Sequence, residues 1–356
     1  MATIQSIFFY LATTAFFFGP SLRLNLFFAS VPIFDILLIL YTCFSIIGKK
    51  PKKTSFLAFA VWSIFRFLTN LFFYKSQPRN IFYLIRLVNF CLLFSYIPKP
   101  TPNQLKFLNL VIIANIIFGL IQYFIWPDLT SYSYLGWDPH LNRLTSTFLD
   151  PTFTGLIFLL FLLFSYFSNT SIYILLFIYI CISLTYSRST LLSLLLSFLF
   201  ISIRKKDFLI FFKTLIIVIF TLLILPNTAG EGTKLKRTST IKAKIENYRQ
   251  AIHIIVKSPL IGHGYNNLNQ ARKLNSDNHA NFGFDSSLLT ITSTTGIIGL
   301  FLFLKSFIKL FIHSNTAQKT ILISVFTHSL FSNSLLYPWI YFILISYIPT
   351  LTKNRK

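Results

Sequence analysis

A basic, glycine-punctuated run between Arg249 and Leu300 holds the residues best suited to chemistry in this sequence. It begins RQAIHIIVKSPLIGHGYNN, passes through a polar insert and ends FDSSLLTITSTTGIIGL. Imidazole and carboxylate groups, here on His263, His279 and Asp285, can take a proton from an attacking hydroxyl. Arginine offers a planar set of donors that fits a phosphate and stays charged. The run therefore combines groups that can accept a proton with a cation of the kind that binds phosphate.

The elements that position this run must lie in a membrane. The chain is 54% hydrophobic and contains 43 Phe among 356 residues, with a mean hydropathy of +0.67. Apolar runs long enough to cross a bilayer recur along it. The net charge of +23 sits largely in short clusters beside these runs, as membrane topology signals do. We therefore predict a polytopic membrane protein and no nucleic-acid partner.

Hydropathy predicts an all-α bundle of about twelve transmembrane helices. The predicted spans are residues 4–18, 30–47, 55–74, 80–97, 105–126, 151–168, 171–187, 189–203, 208–225, 286–304, 319–333 and 335–352. The first is expected to be an uncleaved span, since no clean cleavage site follows it. Residues 1–225 then hold helices one to nine, residues 226–285 form a large loop, and residues 286–356 hold the last three helices.

Short-loop charge predicts the orientation of these spans. The Lys and Arg clusters near residues 49–53, 99–106, 204–206, 305–309 and 353–356 all fall on one side, which the positive-inside rule assigns to the cytoplasm. Both termini are then cytoplasmic, and the loop at 226–285 lies outside. Seven of the nine acidic residues share that outer side. Any chemistry is therefore expected on the outer face.

The large loop is predicted to contain an amphipathic helix at the membrane surface. An apolar stripe recurs at helical spacing at Ile241, Ile245, Tyr248, Ile252 and Ile255. A parallel polar stripe consists of Lys242, Glu246, Arg249, His253 and Lys257. Such a helix would turn the first stripe toward lipid or the membrane domain, with Arg249 and His253 at headgroup level. The alternative is a solvated cationic face.

Two further arginines stand at the outer boundary of predicted spans. Arg188 lies between two apolar runs with almost no loop, and Arg143 precedes another span. Together with Arg249 they would suit a lipid-linked diphosphate, whereas ordinary snorkelling is the alternative. Deeper in the bundle, Asp35, Arg66 and Arg86 are expected to pair with one another.

No metal or cofactor site is predicted. Cys43, Cys91 and Cys181 lie inside apolar runs, which argues against a disulfide framework or a thiolate site. Closely spaced carboxylates and zinc-spaced His or Cys clusters are absent from the sequence. A diphosphate leaving group needs cations rather than a general acid. Metal-independent catalysis is therefore expected.

Four stretches, in this order, resemble the bacterial O-antigen polymerase and O-antigen ligase superfamily of membrane glycosyltransferases. They are RLTSTFLDPTFTG at 143–155, LTYSRST at 184–190, YRQAIHIIVKSPLIGHGYNN at 248–267 and FDSSLLTITSTTGIIGL at 284–300. The resemblance implies transfer of a glycan from undecaprenyl diphosphate to an acceptor hydroxyl at the bacterial inner (plasma) membrane. It also implies diphosphate-binding roles for Arg188 and Arg249 and, on a looser match, Arg143.

The general base stays open at this point. The ligase branch carries a His-Asn pair eleven residues before the glycine that opens the last motif, and here that position holds Asp285 and Ser286. Asp285, His279 and His263 are the alternatives, as is a reaction without a base. His253, His263 and Tyr265 are further candidates for contact with substrate.

The missing His-Asn pair favours a polymerase, which joins lipid-linked repeats, over a ligase, which transfers finished glycan to lipid A core. A chain-length regulator and a flippase would be its partners. A lipid-linked glycan flippase or transporter is the alternative from another class. It is disfavoured because such proteins place charges near the bilayer midplane, whereas here the polar residues concentrate in one outer loop.

Overall fold

The computed structural model describes residues 2–26, 29–52, 56–73, 80–135, 138–226, 228, 230–235, 237–265, 267–272 and 283–351. Within them the chain forms fourteen α-helices. Their bounds are α1 Ala2–Phe17, α2 Ile33–Ile46, α3 Leu57–Phe73, α4 Asn80–Tyr96, α5 Pro102–Ile125, α6 Pro151–Phe167, α7 Ile172–Ser183, α8 Arg188–Lys205, α9 Phe208–Ile224, α10 Ser239–Lys257, α11 Leu268–Ala271, α12 Ser287–Ile312, α13 Thr316–Ser329 and α14 Pro338–Tyr347.

Each predicted span coincides with one of these helices, and the two remaining helices, α10 and α11, lie in the predicted outer loop. The mainly helical fold is therefore confirmed. Among the described helices, Pro102–Ile125 and Ser287–Ile312 are by themselves long and apolar enough to cross a membrane, and eight more are apolar but shorter. The number of spans and their orientation stay predictions.

A short hairpin departs from the all-helical prediction. β1 (Arg23–Leu26) pairs antiparallel with β2 (Ala29–Pro32), where the prediction had begun the second span at residue 30. The Arg23 guanidinium donates to the Ser30 hydroxyl at 2.9 Å and to the Ser30 carbonyl at 2.7 Å, across the hairpin. Pro32 has an extended backbone with ψ 133°, and α2 starts directly after it.

Two helices form the centre of the bundle, and one helix lies at its edge. Every residue of α14 is buried, as is every residue of α6 from Thr154 to Ser165. In contrast, α9 is apolar on all sides but buries only Val218. A helix that is hydrophobic all round needs an apolar environment on every face. The exposed apolar surface of α9 is therefore consistent with a place in a membrane.

The helix α12 is broken at Gly296, and a turn of the outer loop fills the break. Gly296 has φ 71° and ψ −177°, so the backbone groups on either side lose their helical partners. The turn at residues 259–264 replaces these partners. Its hydrogen bonds are His263 N to Ser293 O (2.9 Å), Gly264 N to Thr294 O (2.8 Å), Ile297 N to Pro259 O (2.8 Å) and Ile298 N to Leu260 O (3.3 Å).

This contact requires glycine on both sides. A Cβ on Gly262 would lie 2.5 Å from the Gly296 nitrogen, and a Cβ on Gly296 would lie 2.1 Å from the Leu260 carbonyl oxygen. From α3, the Arg66 guanidinium donates to the carbonyls of Ile261 and Gly262 at 2.7 and 2.9 Å. The turn is thus fixed between α12 and α3. We call it the interlocking turn.

The amphipathic helix α10 is confirmed, but its packed face differs from the predicted apolar stripe. Ala251 and Ile254 are buried in a small cluster with Leu268 and Phe284. The side chains of the predicted stripe are about half exposed at Ile241 (48%), Ile245 (48%) and Ile252 (56%). The predicted stripe is therefore only partly covered by the rest of the protein.

The buried charges of the bundle pair differently from the prediction. Arg86 of α4 makes a salt bridge with the buried carboxylate of Asp35 on α2. Arg66, predicted to join them, instead binds the carbonyls of the interlocking turn. The physical reason is the break in α12, whose partner turn presents carbonyl oxygens directly to α3.

Candidate anion-binding site

A cavity of about 440 Å³ opens where α10 crosses the ends of α8 and α13. Four cationic side chains line it: Arg143, Arg188, Arg237 and Lys244. No acidic residue lines it among the described residues. Hydroxyl groups of Thr152, Ser187, Ser189, Thr240 and Ser332 add further polar lining. Leu192, Ile241 and Ile245 form an apolar wall. The cavity thus combines a cationic interior with one apolar wall.

Arg143 is held in the cavity wall by the segment before α6. Gln122 of α5 donates to the Arg143 carbonyl at 3.3 Å and accepts from the Thr145 amide at 2.9 Å. The Arg143 side chain, 7% exposed, donates to the Thr185 carbonyl at 2.9 Å. Burial, with repulsion from Arg237 and Arg188, lowers the pKa of Arg143 to about 10, although Asp150 opposes this. Arg143 is therefore a charged group held where a bound anion would stabilise it.

Arg188 stands at the first residue of α8. Ser187 caps this helix by accepting from the Thr190 amide. The guanidinium donates to the carbonyls of Leu235 and Arg237 at 3.3 and 3.1 Å, which ties the start of the outer loop to α8. The amino end of α8 also faces the cavity, and the helix dipole there favours an anion.

Arg237 and Lys244 were not identified from the sequence. Arg237 donates to the Gly232 carbonyl and, at 2.8 Å, to the Thr240 hydroxyl. The Lys244 ammonium donates to the Phe331 carbonyl at 2.5 Å. Their spacing in the sequence indicates a shared helix face, because Thr240, Lys244 and Tyr248 recur every four residues on α10. Arg237 lies about one turn before Thr240.

Asp285 lies beside the cavity rather than in its wall. Its carboxylate is 3.5 Å from the Lys244 ammonium, and its amide donates to the Asn247 side chain at 2.9 Å. The Asp285 side chain is 47% exposed. Burial, and then the charge of Asp285, raises the pKa of Tyr248, whose hydroxyl donates to the Leu330 carbonyl. Lys244 and Tyr248 therefore connect the candidate base to the cationic cavity.

The other predicted site residues lie outside the cavity. Arg249 is on the exposed face of α10, where its side chain is 75% exposed and 3.8 Å from the Glu246 carboxylate. His253 is exposed on the same face. His263 belongs to the interlocking turn, with its Nε2 2.9 Å from the Ile254 carbonyl oxygen. Tyr265 is buried, which raises its pKa. His279 lies outside the described residues.

No cluster of three His, Cys, Asp or Glu side chains that could hold a metal ion occurs in the part of the chain that the structure describes. The free thiols of Cys91 and Cys181 are buried, whereas that of Cys43 is exposed.

The helical bundle, its exposed apolar helix α9 and the cationic cavity are the features of an integral membrane protein with a polar cavity at one end of its helices. The family model described as O-Antigen ligase matches residues 172–304. The match confirms the resemblance to the superfamily of O-antigen ligases and polymerases. It runs from α7 into α12 and includes Arg188, Arg237, Lys244 and Asp285, whereas Arg143 precedes it. No curated protein matches the sequence.

Proposed function

We propose that this protein polymerises a surface polysaccharide at the outer (periplasmic) face of the bacterial inner membrane. It transfers a glycan from undecaprenyl diphosphate to a hydroxyl of another lipid-linked repeat. The bond between the anomeric carbon and the diphosphate oxygen breaks, and a bond from that carbon to the acceptor oxygen forms. The acceptor proton passes to a base, and undecaprenyl diphosphate leaves.

The observation that carries this proposal is the cavity with four cationic residues and no acidic one among its described lining. A diphosphate in that place would meet Arg143, Arg188, Arg237 and Lys244 together with the amino end of α8. Such preorganised cations stabilise the charge that develops on the leaving group, so no general acid is needed.

The apolar wall supports a lipid-linked donor over a soluble one. Leu192 of α8 and Ile241 and Ile245 of α10 line the cavity and are each more than a third exposed. In a membrane these side chains contact acyl chains. A polyprenyl tail can therefore stay in lipid while its diphosphate reaches the arginines.

Asp285 is the proposed base. Its half-exposed carboxylate leaves room for an acceptor hydroxyl, and the nearby Lys244 links it to the diphosphate site. His263 is a weaker candidate because one of its ring nitrogens contacts the Ile254 carbonyl. His279 remains an alternative base. Arg249 and His253, exposed at headgroup level, are proposed to contact the donor before it enters the cavity rather than during the reaction.

The second candidate function is ligation of glycan to lipid A core, which the description of the matched family model favours. The two reactions share the donor and differ in the acceptor. The polymerase and ligase reactions can be distinguished by the glycans that cells display.

We propose replacing Arg188, Arg237, Lys244 and Asp285 singly with Ala, confirming insertion and abundance, and resolving surface glycans by size. Lys242→Ala, at an exposed lysine of the same helix as Lys244, is the matched control.

Each outcome points to one reaction. Loss of glycan ladders while a single capped repeat persists indicates polymerase. Loss of all capping while lipid-linked polymer accumulates indicates ligase. Wild-type ladders in all four cavity and base variants would refute the site.

Metal-independent catalysis is part of the proposal. A purified protein supplied with lipid-linked repeats is expected to keep its transfer activity in excess chelator, because arginines replace the metal at the diphosphate. Loss of activity in chelator, restored by a divalent cation, would contradict this. A chain-length regulator and a flippase are the proposed partners in the membrane.

A further inference from the structure

A buried chain of hydrogen bonds leads from the cavity into the bundle and has no part in the mechanism above. Ser189, on the first turn of α8, lines the cavity. Its hydroxyl is 3.2 Å from Nε2 of His328, near the end of α13. Nδ1 of His328 is 2.5 Å from the hydroxyl of Ser334. His328 and Ser334 are both 0% exposed.

The tautomer of His328 sets the direction of hydrogen bonding along this chain. The Ser334 hydroxyl lies 2.5 Å from His328 Nδ1 and 3.4 Å from the Ser332 carbonyl, and its one proton can go to either. If Ser334 donates to Nδ1, a neutral imidazole carries its proton on Nε2 and donates to the Ser189 oxygen. Ser189 then accepts from His328 and keeps its own proton free.

That proton has few competing acceptors near the cavity. The Ser187 hydroxyl, 3.2 Å from Ser189, already accepts from the hydroxyl of Thr190 at 2.8 Å. The Ser189 hydroxyl instead faces a cavity with four cationic residues in its lining. An anion bound there offers a charged acceptor, which hydroxyl donors prefer to a neutral one.

We propose that His328 is a positioning residue that orients the Ser189 hydroxyl as a hydrogen-bond donor to the diphosphate of the donor lipid. This inference rests on the proposed function and adds a neutral donor to the four cations. His328 acts through Ser189 and does not itself touch the substrate. The arrangement supplies the donor without adding charge to a site that is already strongly cationic.

A double-mutant cycle on the purified full-length protein tests the proposal, with farnesyl diphosphate as the binding probe. The variants are Ser189→Ala, His328→Phe and both together. Loss of one hydrogen bond to a charged group is expected to weaken binding about tenfold. Because the two residues act through one donor, the double variant is expected to bind no more weakly than Ser189→Ala alone.

Two conservative variants show whether a loss of affinity comes from the lost hydrogen bond or from misfolding of the protein. Ser189→Thr keeps a hydroxyl at the cavity and is expected to restore most of the affinity. His328→Gln keeps a side-chain donor toward Ser189 and is expected to lose less affinity than His328→Phe. These rescues would not occur if the two side chains only filled space.

The results separate this inference from the proposed function. Independent effects that multiply to about a hundredfold in the double variant, or a Ser189→Ala protein with wild-type affinity, would overturn the role of His328. Wild-type protein that does not bind farnesyl diphosphate, or binds it equally well after Arg188→Ala, would overturn the diphosphate site itself and this inference with it. Tenfold loss without further loss in the double variant supports both.

Discussion

Gly296→Ala tests the contact that holds the outer loop against the broken helix α12. At φ 71° and ψ −177°, the backbone of Gly296 lies in a region that is nearly restricted to glycine. Forcing Ala into it costs about 1–3 kcal/mol. The added Cβ would also lie 2.1 Å from the Leu260 carbonyl oxygen. That is too close for any real contact, so the interlocking turn has to move away.

The movement has a further cost that follows from the hydrogen bonds at the break. Separation of the turn releases the amides of Ile297 and Ile298, which donate to Pro259 and Leu260 at 2.8 and 3.3 Å. Each amide left unpaired within the helix costs about 1–3 kcal/mol. With the backbone strain, the expected loss of stability is about 3–9 kcal/mol.

Gly48→Ala is a matched control for the strain alone. Gly48 has the same φ of +71°, and nothing lies within 4 Å of its Cβ position. Its substitution is expected to cost about 1–2 kcal/mol. Thermal unfolding of detergent-purified protein measures both variants. At about 2 °C per kcal/mol for a chain of this size, Gly48→Ala should lower Tm by about 2–4 °C and Gly296→Ala by about 6–18 °C. Equal shifts would refute the interlock.

Further predictions concern the charges. Arg143→Gln is expected to raise the Tm of the ligand-free protein, because it relieves repulsion with Arg237 and Arg188. The same variant is expected to reduce the increase in Tm that farnesyl diphosphate gives. An unchanged increase would contradict a contact between Arg143 and phosphate. Arg237→Ala is expected to raise the donor KM about tenfold or more, whereas Arg249→Ala has a smaller effect; the reverse order in a transfer assay would place the site on the exposed face of α10. Arg86→Ala leaves the Asp35 carboxylate buried without its partner and should destabilise the protein by about 3–5 kcal/mol. Adding Asp35→Asn to the Arg86→Ala protein should recover much of the lost Tm. No recovery would show that the loss of stability does not come from the broken ion pair.

The helices could be predicted from hydropathy because a bilayer imposes both a length and an apolar surface on each of them. The hairpin at residues 23–32 could not, since its apolar strand residues read as the start of α2. The predicted start of the second span at residue 30 was wrong because Ser30 lies in β2, where it accepts hydrogen bonds from the Arg23 side chain of β1. Local polar contacts of this kind leave little trace in a hydropathy average.

The candidate site was predictable in part. Arg143 and Arg188 stand out because an arginine at a span boundary is costly without a partner. Lys244 was overlooked because it belongs to neither stripe predicted for α10, whereas the cavity lies against Ile241, Lys244 and Ile245. His328 gave no signal in the sequence, since its role depends on Ser189, which is 139 positions away along the chain.

The interlocking turn explains how distant segments produce one site. It joins the end of α10 to the break in α12, so the two helices cannot slide independently. Lys244 lies on α10, and Asp285 lies two residues before α12. Their 3.5 Å separation is therefore set by the same contact that requires glycine at positions 262 and 296. If Asp285 is the base, as proposed, a loop that merely lay on the membrane could not keep it at a fixed distance from the diphosphate. The proposed mechanism therefore depends on these glycines through position, although neither of them lines the cavity.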